Sequence, residues 1–552
     1  MAEAAGSEQT EIEWQFAALD VRPVARWLET ANVPGYRVIS GPEKLLRDSY
    51  LDTEDWRIHR AGFTCRVREK DSGPELTLKS MADPSAGIRT RREVTGQPPP
   101  GGDLLEATGV CGELLRAAAG KRPLREVFRL ETRRRVFQLH DAEGEVAEIA
   151  LDETSIPVGE DGPVRLSRVE VEVSGGTVER AQRFVGVMVA MAALTAAGPS
   201  KFEAALIATG QAPAPRTPDL GPTEVRPEMS AGEVGFAVMR RHFGVFLANE
   251  AGTRLGEDIE ALHDMRVAAR RLRAAMAAFR PFLPPALERV RLELGRVAAA
   301  LGVVRDLDVQ LERMAEWREG FSAEEGHALD AIEGLLTRRR VAGRQRMLAA
   351  LDSRRYENFV VRFAAMLRRG PPRTFAPGKV SILAAAPDLL EKRYRRVRKL
   401  GDAITRSSPA SDYHTLRIDA KKLRYALEFV GPIYGKPATG FSQRVTALQD
   451  VLGLHQDAEI AVTMLDEMAR SEWRRLGPET VLAMGSIAER YRRHAAELRG
   501  QFPGVYRPMR GREWRRLREV IEGRRPKSGI EAVAPMPRAR RGATPTPQPG
   551  GQ

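Results

Sequence analysis

Cysteine is almost absent: the 552 residues contain two, Cys65 and Cys111, and their spacing is not that of a metal site. This points to a chain that works reduced rather than stapled by disulfides. Long apolar runs are lacking too, and none is long enough to cross a bilayer. The opening stretch MAEAAGSEQTEIE is acidic and has neither the basic nor the apolar region of a signal peptide. Together these absences lead us to expect a soluble, cytoplasmic protein with no membrane partner.

Charge is abundant and unevenly placed. Residues 1–230 carry 29 Lys and Arg against 36 Asp and Glu, whereas residues 231–525 carry 54 against 37. An acidic first half and a strongly basic second half imply different partners, with an anionic one for the second. The length predicts two to four domains.

The chain writes one stretch twice. HDMRVAARRLR (His263 to Arg273) returns as HTLRIDAKKLR (His414 to Arg424), an offset of 151 residues. The same offset carries Pro281 onto Pro432, Leu301-Gly302 onto Leu452-Gly453 and Asp306 onto Asp457, as an internal duplication requires. At 3.6 residues per turn, His263, Arg266, Arg270 and Arg273 share one side of a helix. Met265, Leu272, Met276 and Phe279 share the other side. In the second copy His414, Arg417, Lys421 and Arg424 face away from Leu416, Leu423, Leu427 and Val430. Like charges one turn apart repel, so each stripe costs helix stability unless an anion lies on it. Two stripes facing one cavity would hold a long polyanion.

Residues 11 to about 205 alternate as strands do. Strand patterns occur at residues 11–16, 65–68, 76–79, 89–94, 130–139, 146–152 and 169–173, with short helices at 21–32, 102–119 and 177–196. One face of nearly every strand is charged. Glu11 with Glu13, and Glu170 with Glu172, point paired carboxylates one way, and Arg66 with Arg68 point cations one way. A closed barrel lined by both signs would take a phosphate chain together with a divalent cation. Cross-strand ion pairing on a wet sheet face is the bland alternative.

In order and spacing these residues resemble the CYTH family of triphosphate tunnel enzymes, over roughly residues 9–206. The resemblance rests on Glu11-Ile12-Glu13, Tyr50-Leu51-Asp52-Thr53, Arg66-Val67-Arg68, Thr77-Leu78-Lys79, Arg91-Arg92-Glu93, Arg134 with Phe137, Ala150-Leu151-Asp152, Glu170-Val171-Glu172 and Ser200-Lys201. It implies an eight-stranded antiparallel tunnel with flanking helices that binds a triphosphate and Mg²⁺ or Mn²⁺. Carried over, Glu11, Glu13, Lys79 and Glu93 would serve catalysis. Arg66, Arg68, Lys79, Arg91, Arg134 and Lys201 would bind phosphate, and Glu11, Glu13, Asp152, Glu170 and Glu172 would bind metal. Two positions depart from the family pattern: Gln15 stands where it has Lys, and Arg168 where it often has a third Glu. Reduced metal affinity or turnover is expected from both.

A Pro-rich stretch without periodicity (within 207–230) reads as a linker. Beyond it the chain turns Ala-, Leu- and Arg-rich with helical spacing. The duplicated motif, with Leu301-Gly302-Val303-Val304-Arg305-Asp306-Leu307-Asp308 and Leu448-Gln449-Asp450-Val451-Leu452-Gly453, resembles the CHAD domain over about 231–510, with repeats near 231–370 and 380–510. That resemblance implies an all-α duplicated bundle binding inorganic polyphosphate through His263, Arg266, Arg270, Arg273, His414, Arg417, Lys421 and Arg424, flanked by Arg271 and Lys422. Capping or ion pairing is expected of Asp306, Asp308 and Asp457. The run Lys392 to Lys399 either extends the anion surface or is a solvated face. Residues 526–552 read as disordered.

The expected fold class is therefore multidomain α+β, and the expected activity is metal-dependent hydrolysis of a triphosphate, foremost inorganic triphosphate. Alternatives are a non-catalytic polyphosphate tether and an organic triphosphate enzyme of the thiamine triphosphatase or adenylyl cyclase kind. Nucleic acid is disfavoured as a partner, because among the basic helices only Tyr425 lies near the stripes. Association with polyphosphate granules would follow from the polymer reading.

Overall fold

The structure is a computed structural model. It describes residues 7–526 apart from 83–86, 160–161, 175–177, 214, 216, 320 and 322–325. The tail expected to be disordered lies, beyond Pro526, outside the described residues. The chain divides into two compact units: residues up to Pro218 with Leu247–Leu262, and Asp219–Phe246 with the chain from His263 onward.

The first unit is a barrel of eight antiparallel strands: β1 (Glu8–Ala17), β2 (Arg37–Thr53), β3 (Phe63–Glu69), β4 (Glu75–Ser80), β5 (Ile88–Gly96), β6 (Leu124–Asp141), β7 (Gly144–Ile156) and β8 (Val164–Val173). Their order is β5-β4-β3-β2-β6-β7-β8-β1, and β1 pairs β5 to close the ring. A two-residue strand, Thr195–Ala196, pairs with the end of β1.

Period-two alternation explains why the barrel is charged within and apolar without. Glu11, Glu13 and Gln15 of β1 are buried on the lumen side. Trp14 and Phe16 point the other way, joining Phe137, Val169 and Val171 in a core. Helices Arg22–Thr30 and Val178–Met191 cover that core with Val24, Leu28, Phe184 and Met188. A second core sets Cys65, Leu76, Leu78 and Val94 against Cys111, Leu114 and Leu115 of helix Gly109–Ala119. Covering the outer wall with amphipathic helices removes apolar surface from water and leaves the lumen free to be polar.

The expected strands all fall within observed ones, but β2 has no counterpart among them. Gly41 and Pro42 interrupt it, and its register with β6 shifts between Ser40 and Glu43. A bulge there changes which residues face inward, so no single alternation runs along the strand.

The second unit is helical, and the duplication holds at the level of whole helices. Adding 151 to the starts Ala231, Ile259 and Leu287 gives 382, 410 and 438; helices begin at Ile382, Ala410 and Lys436. The last runs to Tyr506 but is broken at Gly477, where φ is 79° and Pro478 follows. Met265, Leu272, Met276 and Phe279 are buried to 3% exposure or less, as are Leu416, Leu423, Leu427 and Val430. The apolar side assigned to each stripe helix is thus its core side. Among the described residues, no helix is long and apolar enough to cross a membrane.

Candidate functional site

Strand register places the lumen charges beside one another. Glu13 lies opposite Glu172, and Glu172 opposite Glu148, so β1, β8 and β7 set three glutamates in a row. Like charges directly opposite on neighbouring strands repel. Across the other seam Glu11 faces Arg91 and Lys79 faces Glu93. Arg134 is opposite Asp152, and Arg68 opposite Asp48.

One cavity of about 340 Å³ gathers Glu11, Glu13, Lys79, Glu93, Arg66, Arg68, Arg91, Arg134, Glu170, Glu172 and Lys201. That size is at the small end of ligand pockets. The Lys79 ammonium pairs with Glu11 and lies 3.9 Å from Glu13 and 3.6 Å from Glu93. Arg91 pairs with Glu13. Arg68 grips Asp48 through two hydrogen bonds of 2.7 and 2.9 Å, with Arg66 at 3.9 Å. Arg134 donates to both oxygens of Asp152 (2.8 and 2.6 Å) and to Glu170 (2.7 Å). Lys201 pairs with Asp152 and lies 3.1 Å from Glu170.

Asp152 is fully buried and does not line the cavity. Its carboxylate is spent on Arg134 and Lys201, which makes it a holder of these two cations. Residues not expected from the sequence include Asp48, Arg89 and Glu148. Glu148 had a readable signal, since it shares its strand face with Asp152 four residues on. Asp48 had none, because it lies on the bulged β2.

The two acidic groups of β8 diverge. Burial raises the Glu172 carboxyl, Glu11, Glu93 and Glu148 add to the rise, and it is pushed up to about 7 although Lys79 opposes this. Burial acts the same way at Glu170, but Lys201, Arg134 and Lys79 outweigh it and hold that carboxyl well below the usual range. At Asp48 burial is likewise overridden, by the bonded Arg68 and nearby Arg66, and the carboxyl is held low. Glu172 thus sits in a carboxylate cluster short of positive charge, in which hard oxygen donors fit a divalent cation. Among the described residues no three His, Cys, Asp or Glu side chains already converge as ligands.

Gln15 donates its amide to Glu13 (3.0 Å) and Glu170 (3.1 Å), tying the acidic row together with a neutral donor. Arg168 is buried, lies opposite Asp152, donates to the Pro199 carbonyl, and does not line the cavity. Tyr50 and Phe202 do line it. Their rings pack on each other at 5.5 Å and on Phe128 at 5.2 and 5.5 Å, so these faces are engaged within the protein.

In the helical unit the two stripes meet. Arg270 Nε donates to the Tyr425 hydroxyl at 2.8 Å. Burial, and then Arg270, Arg417, Arg424 and Arg266, push the Lys421 ammonium down to about 7. Five of the eight expected anion-binding residues therefore crowd together from both helices. His414 instead opens on a separate hollow with Gln456, Glu459 and Glu467, its ring 2.5 Å from the Gln456 side-chain oxygen. His263 is half-buried and Arg273 exposed on the first helix. Both histidines lie a turn inside their helices, so neither is an N-cap. Asp306 pairs with Arg266 at 3.0 Å, and Asp308 with Arg340 at 2.5 Å. In the Lys392–Lys399 run, three of the six cations, Arg395, Arg396 and Arg398, are paired with Glu391, Asp419 and Asp402.

The first unit is thus a closed antiparallel barrel with its charges turned inward, and the second a duplicated helical unit with two cationic stripes. The CYTH domain family matches residues 28–185 and the CHAD domain family residues 237–466. The chain thus carries a CYTH domain followed by a CHAD domain. That pairing supports a triphosphate-related function of phosphohydrolase type, and the CYTH family implies a divalent metal cation.

Among solved structures, the CHAD domain from the plant Ricinus communis is 24% identical, covering 52% of this chain and 96% of that one, with a TM-score of 0.44. PptA from Streptomyces chartreusis is 22% identical over 50% of this chain and 99% of that one, with a TM-score of 0.41. A Hippeastrum protein described as an adenylyl cyclase candidate with a dominant triphosphatase activity is 20% identical over 35% of this chain and 94% of that one, with a TM-score of 0.29. No curated relative matches the chain.

Proposed function

We propose that the tunnel hydrolyses inorganic triphosphate to diphosphate and phosphate with Mg²⁺ or Mn²⁺, and that the helical unit binds inorganic polyphosphate. The observation that carries the first half is the interleaving of opposite charges in one small closed cavity, with Glu172 left among like charges. Glu11, Glu13, Glu148 and Glu172 would hold the cation. A bound divalent cation supplies charge neutralisation at the phosphate oxygens. Arg66, Arg91, Arg134 and Lys201 bind the phosphate chain, while Asp152 keeps its hold on Arg134 and Lys201. Lys79 turns from Glu11 toward the transferring group, and Glu93, 3.6 Å from Lys79, orients the attacking water. Water oxygen bonds to the terminal phosphorus as its proton passes to the Glu93 carboxylate, the bridging oxygen bond breaks, and diphosphate leaves with the pair of electrons.

Inorganic triphosphate is favoured over a nucleotide because the aromatic rings at the cavity already pack against one another. A panel of inorganic, adenosine and thiamine triphosphates, assayed for phosphate release with each metal, tests this. Fastest release is expected from the inorganic substrate. Equal or faster release from an organic one would move the assignment, and no release from any would end it.

The polymer reading is supported by the meeting of the two stripes at Lys421. It carries a pH prediction. An anion restores the proton that burial and four arginines drive off Lys421, so binding takes up a proton. Below pH 7 Lys421 is already charged and adds no pH dependence; above it, affinity falls by up to about tenfold per pH unit until the raised, bound-state value is reached. Calorimetry in buffers of different ionisation enthalpy reads the proton uptake directly. Affinity independent of pH from 6 to 9 would contradict it. A cytoplasmic location, on polyphosphate granules, belongs to the same proposal.

A further inference from the structure

Tyr425 and Glu428 have no equivalent in the first repeat: the 151-residue offset puts Ala274 and Ala277 there. Both second-repeat residues reach the arginines of the first. The Glu428 carboxylate is 3.2 Å from Arg271 and 3.6 Å from Arg424, and so bridges the two stripe helices. Tyr425 is buried between the same guanidinium groups, 5.7 and 5.4 Å from its ring centre, and accepts from Arg270.

The ion pairs at Glu428 are close but poorly aligned. Arg271 Nε, Arg424 Nε and one Glu428 oxygen are buried without a hydrogen-bond partner. Buried polar atoms left in this state favour exchange for a better-fitting partner. Arg271, Arg424 and Glu428 each remain about a quarter to a third exposed, so an anion can approach from solvent. A phosphate polymer offers oxygens along its whole length and can satisfy guanidinium nitrogens that one carboxylate cannot reach.

We propose that Glu428 is a built-in counter-ion of the paired stripes, holding Arg271 and Arg424 until a polyanion displaces it, with Tyr425 fixing the arginines in place. This rests on the polyphosphate reading. Glu428 lowers affinity, because its charge repels the incoming polymer and must be pushed aside. It also keeps the facing cations from driving the two helices apart when no polymer is bound.

The test is equilibrium binding of long-chain inorganic polyphosphate to the full chain, with chelator present so that the polymer is not hydrolysed. Wild type is compared with Glu428→Gln, Glu428→Ala and Arg270→Ala. Both Glu428 variants are expected to bind about tenfold more tightly, with a steeper dependence on salt. Polymer should also raise their melting temperature more than that of wild type, a readout that a purely structural role would move the other way. If Arg270→Ala weakens binding while the Glu428 variants bind equally or less tightly, the counter-ion proposal is overturned and the polymer site stands. If Arg270→Ala has no effect either, the polymer does not bind at the stripes and both readings fall.

Discussion

Lys79→Ala is expected to lower kcat/KM for inorganic triphosphate by about 10²–10³-fold, the loss typical of one preorganised charge at a reacting group. Lys79 stands among Glu11, Glu13 and Glu93. Its removal takes away a cation meant for the transferring phosphoryl group and leaves three carboxylates facing an incoming polyanion. Both effects act on the bound state, and the first grows in the transition state, so kcat should fall as well as KM rise. Lys79→Arg keeps the charge on a bulkier group and should recover only part of the rate. Initial rates against substrate concentration give the split; a change in KM alone would make Lys79 a binding group only.

Arg134→Ala should be the most damaging single change to the barrel. Asp152 has no solvent exposure, and Arg134 supplies two of its hydrogen bonds and one to Glu170. Deleting it leaves Lys201 to serve both carboxylates. Breaking a buried pair in this way costs about 3–5 kcal/mol, because the stranded charge stays desolvated. A whole-chain melt of two units is not a two-state measurement, so hydrogen exchange of β6 and β7 is the proper reading. Protection there should drop accordingly, and Arg134→Ala with Asp152→Asn should lose less than Arg134→Ala alone. A loss in the double variant equal to the sum of the Arg134→Ala and Asp152→Asn losses would show that Arg134 and Asp152 are not coupled.

What could be read without coordinates follows from periodicity. Seven strands are legible because charged and apolar residues alternate along much of their length, and the stripe helices because the same spacing occurs twice. β2 stayed hidden because Gly41-Pro42 and the bulge after Ser40 shift its phase, and Asp48 was hidden with it. Asp152 shows the limit of residue-by-residue carry-over. Only the register with Arg134 and the nearness of Lys201 reveal a carboxylate already consumed. Gln15 is similar: its replacement of a cation was visible, whereas its two hydrogen bonds to Glu13 and Glu170 were not. An offset marks what two copies share, and Glu428 is where they differ, since Ala277 stands at its place in the first repeat.

Central to the proposed function is a lumen whose opposite charges would be completed by a phosphate chain and a cation together. Phosphate release from inorganic triphosphate, titrated with Mg²⁺ and with Mn²⁺ in wild type and Glu172→Gln, tests it most directly. Release should require the metal in wild type, and Glu172→Gln should need a higher metal concentration to reach half-maximal rate. Release that proceeds equally without divalent cation, or a metal requirement indifferent to Glu172, would contradict the account.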